Sequence, residues 1–281
     1  MSRLFKNKKK TEEVKVIEAT LGNSVIRAKN VDKIYKSKKR STLAMEDCNM
    51  EVLKNEFVCI IGPSGCGKST LLRMLAGLDE PTNGQIIIHD RLVTGPGAER
   101  GMVFQTYTLF PWMTVMENIS FGLKLKKMSK KEIEETASYY LDAVGLSNFA
   151  KSYPKELSGG MKQRVAIARA LANNPDVLLM DEPFGALDPQ TKASMQLLLR
   201  QIWQKQRTTV VFVTHDIEEA CFLASKIYVM SARPGTVKQN IPVYLPYERD
   251  LDLKDTQEFI DLRRKVNSMI HNDELAEAVN G

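Results

Sequence analysis

The 281-residue sequence predicts an α/β fold, with a parallel-sheet core preceded by a small antiparallel sheet and interrupted by a helical insert. Three observations lead there. The apolar, β-favouring run Phe57-Val58-Cys59-Ile60-Ile61 passes through a glycine-rich loop straight into the helix-favouring run Leu71-Leu72-Arg73-Met74-Leu75-Ala76. Further strand-sized apolar runs, Val177-Leu178-Leu179-Met180 and Val210-Val211-Phe212-Val213, read as buried strands with helical segments between them. Residues 25–35 and again 48–52 show strand-type alternation, whereas residues 109–152 are helical in pattern.

Taken in order, residues 1–24 carry no sustained period and are expected to be an irregular extension. Val25-Ile26-Arg27-Ala28-Lys29, residues 31–35 and Cys48-Asn49-Met50-Glu51-Val52 supply the antiparallel strands. Tyr35 stands where that sheet would pass near a bound base, and its ring could stack there or be plain sheet surface. The loop that follows, Gly62-Pro63-Ser64-Gly65-Cys66-Gly67-Lys68-Ser69-Thr70, has two glycines five apart followed by Lys and Ser. Glycines let the backbone turn its N–H groups inward, where no β-carbon blocks an anion, and the helix start adds about half a positive charge. Lys68 would then reach the β- and γ-phosphates of a nucleoside triphosphate, and the Ser69 hydroxyl would ligate Mg²⁺. Among inward N–H groups and beside Lys68, the Cys66 thiol is expected to favour its thiolate and to be alkylated readily unless ATP protects it.

Residues 79–84 are dense in turn formers and residues 85–89 alternate into a strand; Gly101-Met102-Val103-Phe104-Gln105 is a short strand ending in an amide. In the helical insert, Ser129 with Glu132 forms a capping box whose helix runs through Ile133, Ala137, Tyr140, Leu141 and Val144 to stop at Gly145. Ser158-Gly159-Gly160 opens another helix, either as a second anion site or as a plain helix start. The strand 177–180 ends in Asp181-Glu182, and two carboxylates at that place are costly unless they meet cations or partners. Pro189 starts a helix, residues 209–214 form a strand tipped by His215, and residues 217–224, 227–230 and 236–241 read as helix, strand and strand. From residue 255, Phe259, Leu262, Val266 and Met269 or Ile270 recur at helical spacing in an amphipathic helix.

Composition removes several classes. No apolar run approaches the 18 or so residues that span a bilayer, and the basic start has no apolar region behind it, so neither an integral membrane protein nor a secretory signal is expected. Cys48, Cys59, Cys66 and Cys221 form no CxxC pair and are expected to be reduced thiols of the cytosol. Much of the net charge of +6 sits in Arg3, Lys6, Lys8, Lys9 and Lys10, and in Lys33, Lys36, Lys38, Lys39 and Arg40. These read as a solvated tail and loop, with attraction to an anionic membrane surface as the alternative; no nucleic-acid partner is expected.

The order of these motifs resembles the nucleotide-binding subunit of ATP-binding-cassette (ABC) transporters over roughly residues 25–243. The resemblance implies a P-loop NTPase with a RecA-like core, a helical subdomain at about 106–165, and a C-terminal extension over 244–281. It implies that Lys68 and the backbone of Gly65 and Gly67 hold the phosphates of ATP, that Ser69, Gln105 and Asp181 organise Mg²⁺, and that Glu182 polarises the attacking water. His215 matches the residue that touches the γ-phosphate, and Tyr35 the aromatic that stacks on adenine. Ser158, Gly159 and Gly160 match the signature that closes on the ATP of a second ABC subunit, a homodimer or close paralogue, and Asp188 lies in the loop that crosses between sites. Gly185 and Met161 depart mildly from the family's commoner Ser and Gln.

The resemblance also implies a groove near Gln105, edged by Leu109, Phe110, Pro111, Trp112, Met113 and Val115, for docking a transmembrane permease; filling the insert's core is the alternative. Residues 231–236, 245–250 and the helix with Leu262-Arg263-Arg264-Lys265-Val266 are similar to the branch that energises import of nitrate, sulfonates, taurine or bicarbonate with a separate solute-binding protein. A peripheral place on the cytoplasmic face of the cell membrane follows from that branch. The rival readings are the ATPase of an exporter and a soluble ABC ATPase acting on ribosomes or DNA. Ribosome-type members carry two cassettes and DNA-repair members a long coiled coil, and this chain has neither.

Overall fold

The computed structural model describes residues 24–36 and 41–280, with side chains through residue 270. The basic run at residues 3–10, the extension up to residue 23, and Lys38, Lys39 and Arg40 lie outside the described residues. The strands are β1 (Ser24–Lys36), β2 (Ser41–Leu53), β3 (Phe57–Ile61), β4 (Asn83–Ile88), β5 (Arg91–Leu92), β6 (Arg100–Val103), β7 (Val177–Asp181), β8 (Thr209–Val213), β9 (Lys226–Met230) and β10 (Val237–Pro242). The α-helices are α1 (Lys68–Leu75), α2 (Val115–Leu125), α3 (Lys130–Ala143), α4 (Gly159–Ala172), α5 (Pro189–Gln206), α6 (Ile217–Leu223) and α7 (Gln257–Asn280).

Strands that are apolar on both faces need cover on both faces, and β3, β7 and β8 are buried at every residue. They sit in a six-stranded sheet of order β10-β9-β3-β8-β7-β6, parallel except for β10. The pleat divides β3 between two cores. Phe57, Cys59 and Ile61 face one that includes Val115, Leu171, Trp203 and Phe222, while Val58 and Ile60 face one built with Ile26, Met45, Leu71 and Leu75. The second core is roofed by the antiparallel sheet β2-β1-β4-β5. α7 returns to the first core through Phe259, Val266 and Ile270, as its helical spacing predicts.

The capping box at Ser129 and Glu132 forms, and α3 gives way at Val144 to Gly145, whose φ is +67°. The helical reading of residues 109–152 begins too early. Residues 109–114 are irregular because Pro111 has no amide to donate, and the buried Asn118 side chain bonds the backbone of Phe110, Met113 and Thr114 instead. A second capping box, Thr114 with Glu117, starts α2. Lys33 corrects another expectation. It is not solvated but 9% exposed, because its ammonium pairs with Asp79 and donates to the Glu80 carbonyl at 2.6 Å, tying β1 to the end of the α1 segment. Among the described residues no helix is long and apolar enough to cross a membrane.

Candidate functional site

Parallel strands in register bring their C-terminal ends to one edge, so the segments that follow them meet there whatever their distance in sequence. The loop after β3, Gln105 after β6, Asp181 and Glu182 at the end of β7, His215 after β8 and Arg233 after β9 converge in this way. Most of these residues line a cavity of about 520 Å³, together with Tyr35, Thr42 and Ala44 from the antiparallel sheet.

The loop turns sharply at its glycines and spends the Cys66 N–H on the Pro63 carbonyl at 3.4 Å. Gly65 and Gly67 have φ of +76° and +95°, where a β-carbon is strained, and Gly67 starts α1 without a side-chain cap. The carbonyls of Gly62 and Pro63 accept from Lys68 Nζ at 2.8 and 2.9 Å, which holds the nearly buried ammonium inside the loop. Ser64, Ser69 and Thr70 line the cavity beside it. The expectation for Cys66 fails here. The side chain is 1% exposed, and burial pushes the thiol up more than Lys68, with Nζ 3.8 Å from Sγ, pulls it down. A thiol sealed beneath the loop is neither accessible nor predisposed to ionise.

Opposite the loop, Ser69 Oγ donates to Asp181 Oδ1 at 2.9 Å. Burial raises the Asp181 carboxyl above the usual range, with the Ser69 bond opposing and the Glu182 charge adding to the rise. Glu182 adopts φ +43° with its N–H donating to the Val213 carbonyl at 2.9 Å, a left-handed turn that swings its side chain off the strand. Its Oε2 accepts from Gln105 Nε2 at 3.2 Å and lies 3.2 Å from His215 Nδ1. The turn carrying His215 is fixed from behind: Asp216 caps α6, and Lys192 pairs with Asp216 at 2.7 Å and with the buried Glu219 at 2.6 Å.

Tyr35, 43% exposed as a residue, edges the cavity with its hydroxyl donating to Asp79 Oδ2 at 3.0 Å. Ser158, Gly159 and Gly160 are not in this cavity. Ser158 Oγ accepts from the Met161 N–H at 3.3 Å, Gly159 faces open space, and Gly160 packs on Ala186 and Leu187. Asp188 is an exposed cap of α5, and the Thr191 hydrogen bond holds its carboxyl below the usual range. The run at 109–115 divides: Val115 is fully buried, whereas Trp112 is 70% exposed and lies 5.7 Å, ring to ring, from Phe110. Sequence reasoning missed Arg233 and Lys192. A basic residue in a Pro-Gly turn directly after a parallel strand was the available signal for Arg233, and Lys192 had none, since its partners arrive from another helix.

The donor set suits a hard divalent cation. A hydroxyl, a carboxylate and an amide oxygen at Ser69, Asp181 and Gln105 are oxygen ligands, and among the described residues no group of three or more His, Cys, Asp or Glu could hold a metal alone. Oxygen ligands of this kind fit Mg²⁺, whose shell would be completed by phosphate oxygens.

The sequence pattern of the family described as "ABC transporter" matches residues 45–185. A nitrate import ATP-binding protein of Synechocystis sp. is 52% identical over 254 residues, covering 88% of this chain and 96% of that protein. An aliphatic sulfonates import ATP-binding protein of Bacillus cereus is 48% identical, covering 84% and 92%. A solved dimeric structure of an ATP-binding cassette in a post-hydrolysis state with ADP and Pi superposes with a TM-score of 0.72 at 37% identity, covering 78% of this chain and 98% of that one. The chain belongs to the ABC transporter family and has the fold of its ATP-binding cassette.

Proposed function

We propose that the chain is the ATP-hydrolysing subunit of an importer that takes up a small anion such as nitrate, a sulfonate, taurine or bicarbonate. The observation that carries the hydrolytic part is the contact of Ser69 with Asp181, and of Gln105 and His215 with Glu182, across from a loop with uncapped amides. The import part rests on similarity to nitrate and sulfonate import proteins over most of each chain.

In this reading residues 25–243 are the ATPase domain, residues 106–165 its helical subdomain and residues 244–281 an extension. Tyr35 supports the adenine, and Lys68 with the amides of residues 64–70 neutralises the phosphates. Ser69, Asp181 and Gln105 would hold Mg²⁺, which offsets charge on the phosphate oxygens. Glu182 receives a proton from the attacking water as the new O–P bond forms and the bond to ADP breaks, and His215 keeps the Glu182 carboxylate aimed while facing the γ-phosphate. Ser158, Gly159 and Gly160 serve the ATP of a second cassette, with Asp188 in the loop between the two sites. Hydrolysis removes the phosphate that both chains grip, so the pair opens. The exposed Trp112 and the half-buried Phe110 beside it pass that motion to a permease, with the chain peripheral on the cytoplasmic face of the membrane; a solute-binding protein delivers the anion on the far side.

Reconstitution of the whole transporter in vesicles tests this. ATP turnover is expected to rise with the solute-binding protein loaded with one of the four anions, and Trp112→Ala is expected to remove that stimulation while leaving the subunit's stability unchanged. Stimulation by none of the four, or ATP-driven efflux, would overturn the import reading.

A further inference from the structure

Arg233 lines the cavity but has no part in the mechanism above. It stands at the apex of a turn that is tied at every side. Within the turn, the Ser231 N–H donates to the Thr236 carbonyl at 2.9 Å, the Thr236 N–H to Ser231 Oγ at 2.9 Å, and Ser231 Oγ to the Pro234 carbonyl at 3.1 Å. The turn is also docked on β2, with the Gly235 N–H donating to the Ala44 carbonyl at 3.0 Å and the Glu46 N–H to the Gly235 carbonyl at 3.1 Å. A β-carbon on Gly235 would stand 1.8 Å from the Cys66 carbonyl, so the turn lies directly on the phosphate loop.

From this platform Arg233 Nε donates to the Gly65 carbonyl at 2.9 Å, and a β-carbon on Gly65 would come within 2.7 Å of Nη2. The guanidinium is therefore pressed against the loop, with one N–H fixed and its terminal amino groups left at the edge of the cavity. An exposed arginine normally loses side-chain entropy when it binds; here the turn and the Gly65 bond have already restricted it. Three loop carbonyls, those of Gly62, Pro63 and Gly65, are thus turned onto cations, two by Lys68 and one by Arg233. Oxygens that would repel a phosphate are occupied.

We propose that Arg233 is a further phosphate-binding residue, a second cation that engages the phosphate chain of ATP from the side of the loop opposite α1. The inference rests on the reading of the cavity as the nucleotide site. The test measures ATP, ADP and adenosine affinity and thermal stability of the full chain in Arg233→Gln, Arg233→Lys and Lys68→Ala. Gln can still donate to the Gly65 carbonyl but has no charge, whereas Lys keeps the charge without the planar fork. Arg233→Gln is expected to weaken ATP binding about tenfold, the scale of one charge-assisted contact, with adenosine binding and the melting temperature unchanged. Arg233→Lys is expected to recover most of that loss. Native ATP affinity in Arg233→Gln, or equal losses in the Gln and Lys variants with a lowered melting temperature, would overturn it by leaving Arg233 a buttress of the loop. If Lys68→Ala also binds ATP normally, the nucleotide-site reading fails; if Lys68→Ala loses affinity and Arg233→Gln does not, only the role of Arg233 fails.

Discussion

Two helices in this chain open on glycine, and their starts differ in what surrounds them. α1 is preceded by Gly67, which gives it no side-chain cap, and its start faces a cavity lined by the buried Lys68, the Glu182 carboxylate and His215. α4 begins at Gly159, capped by Ser158, whose hydroxyl already satisfies one amide, and a β-carbon on Gly159 would meet nothing within 4 Å. Similar local chemistry thus has two outcomes. The first helix start is enclosed by the ends of neighbouring parallel strands and faces a cavity within one chain. The second is presented on the surface, and the resemblance gives it work only against another chain.

The largest test of the contrast is Glu182→Gln, which is expected to retain ATP binding and lose about 10²- to 10⁴-fold in turnover, as for a positioned base. Phosphate release measured beside nucleotide binding checks it; wild-type turnover would show that the enclosed helix start lacks its base. Lys68→Ala follows, with ATP affinity and turnover expected to fall together by about 10- to 100-fold, because the carbonyls of Gly62 and Pro63 lose their cation along with the phosphates. Titration with a fluorescent nucleotide would report this.

The open helix start should respond differently. Ser158→Arg is expected to leave ATP binding by the separate chain unchanged but to weaken ATP-driven pairing about tenfold or more, which sizing in a Glu182→Gln background would detect. If the substitution instead weakened ATP binding by the single chain, the contrast between the two starts would collapse. The smallest effect is at a cap far from either. Ser129→Ala removes the capping box of α3 and is expected to cost about 1 kcal/mol, or about 2–4 °C in melting temperature, without altering turnover.

Legibility followed the range of the forces involved. The loop at 62–70, the capping box at Ser129 and the buried strands could be read because glycine φ, local hydrogen bonding and apolar periodicity act over a few residues. Charged residues were harder. Lys33 looked like one of a solvated cluster, yet Asp79, 46 residues away, draws it into the structure. Cys66 looked activated by its neighbour Lys68, but the Gly235 turn and β2 close over it, and desolvation outweighs one nearby cation. The irregular path of residues 109–114 depends on the buried amide of Asn118, whose role is invisible until the helix after it is in place.

The sequence by itself determined the order of strands and helices, the inward-turning glycine loop and the carboxylates at the end of β7, because each follows from backbone preference or from apolar pattern within one segment. Only the tertiary structure decided which of these residues share a cavity, that Ser158 does not, and that Arg233 does. Those outcomes depend on strand order, and in the parallel sheet hydrogen bonding sets β3 between β9 and β8, bringing residues more than a hundred positions apart to one edge.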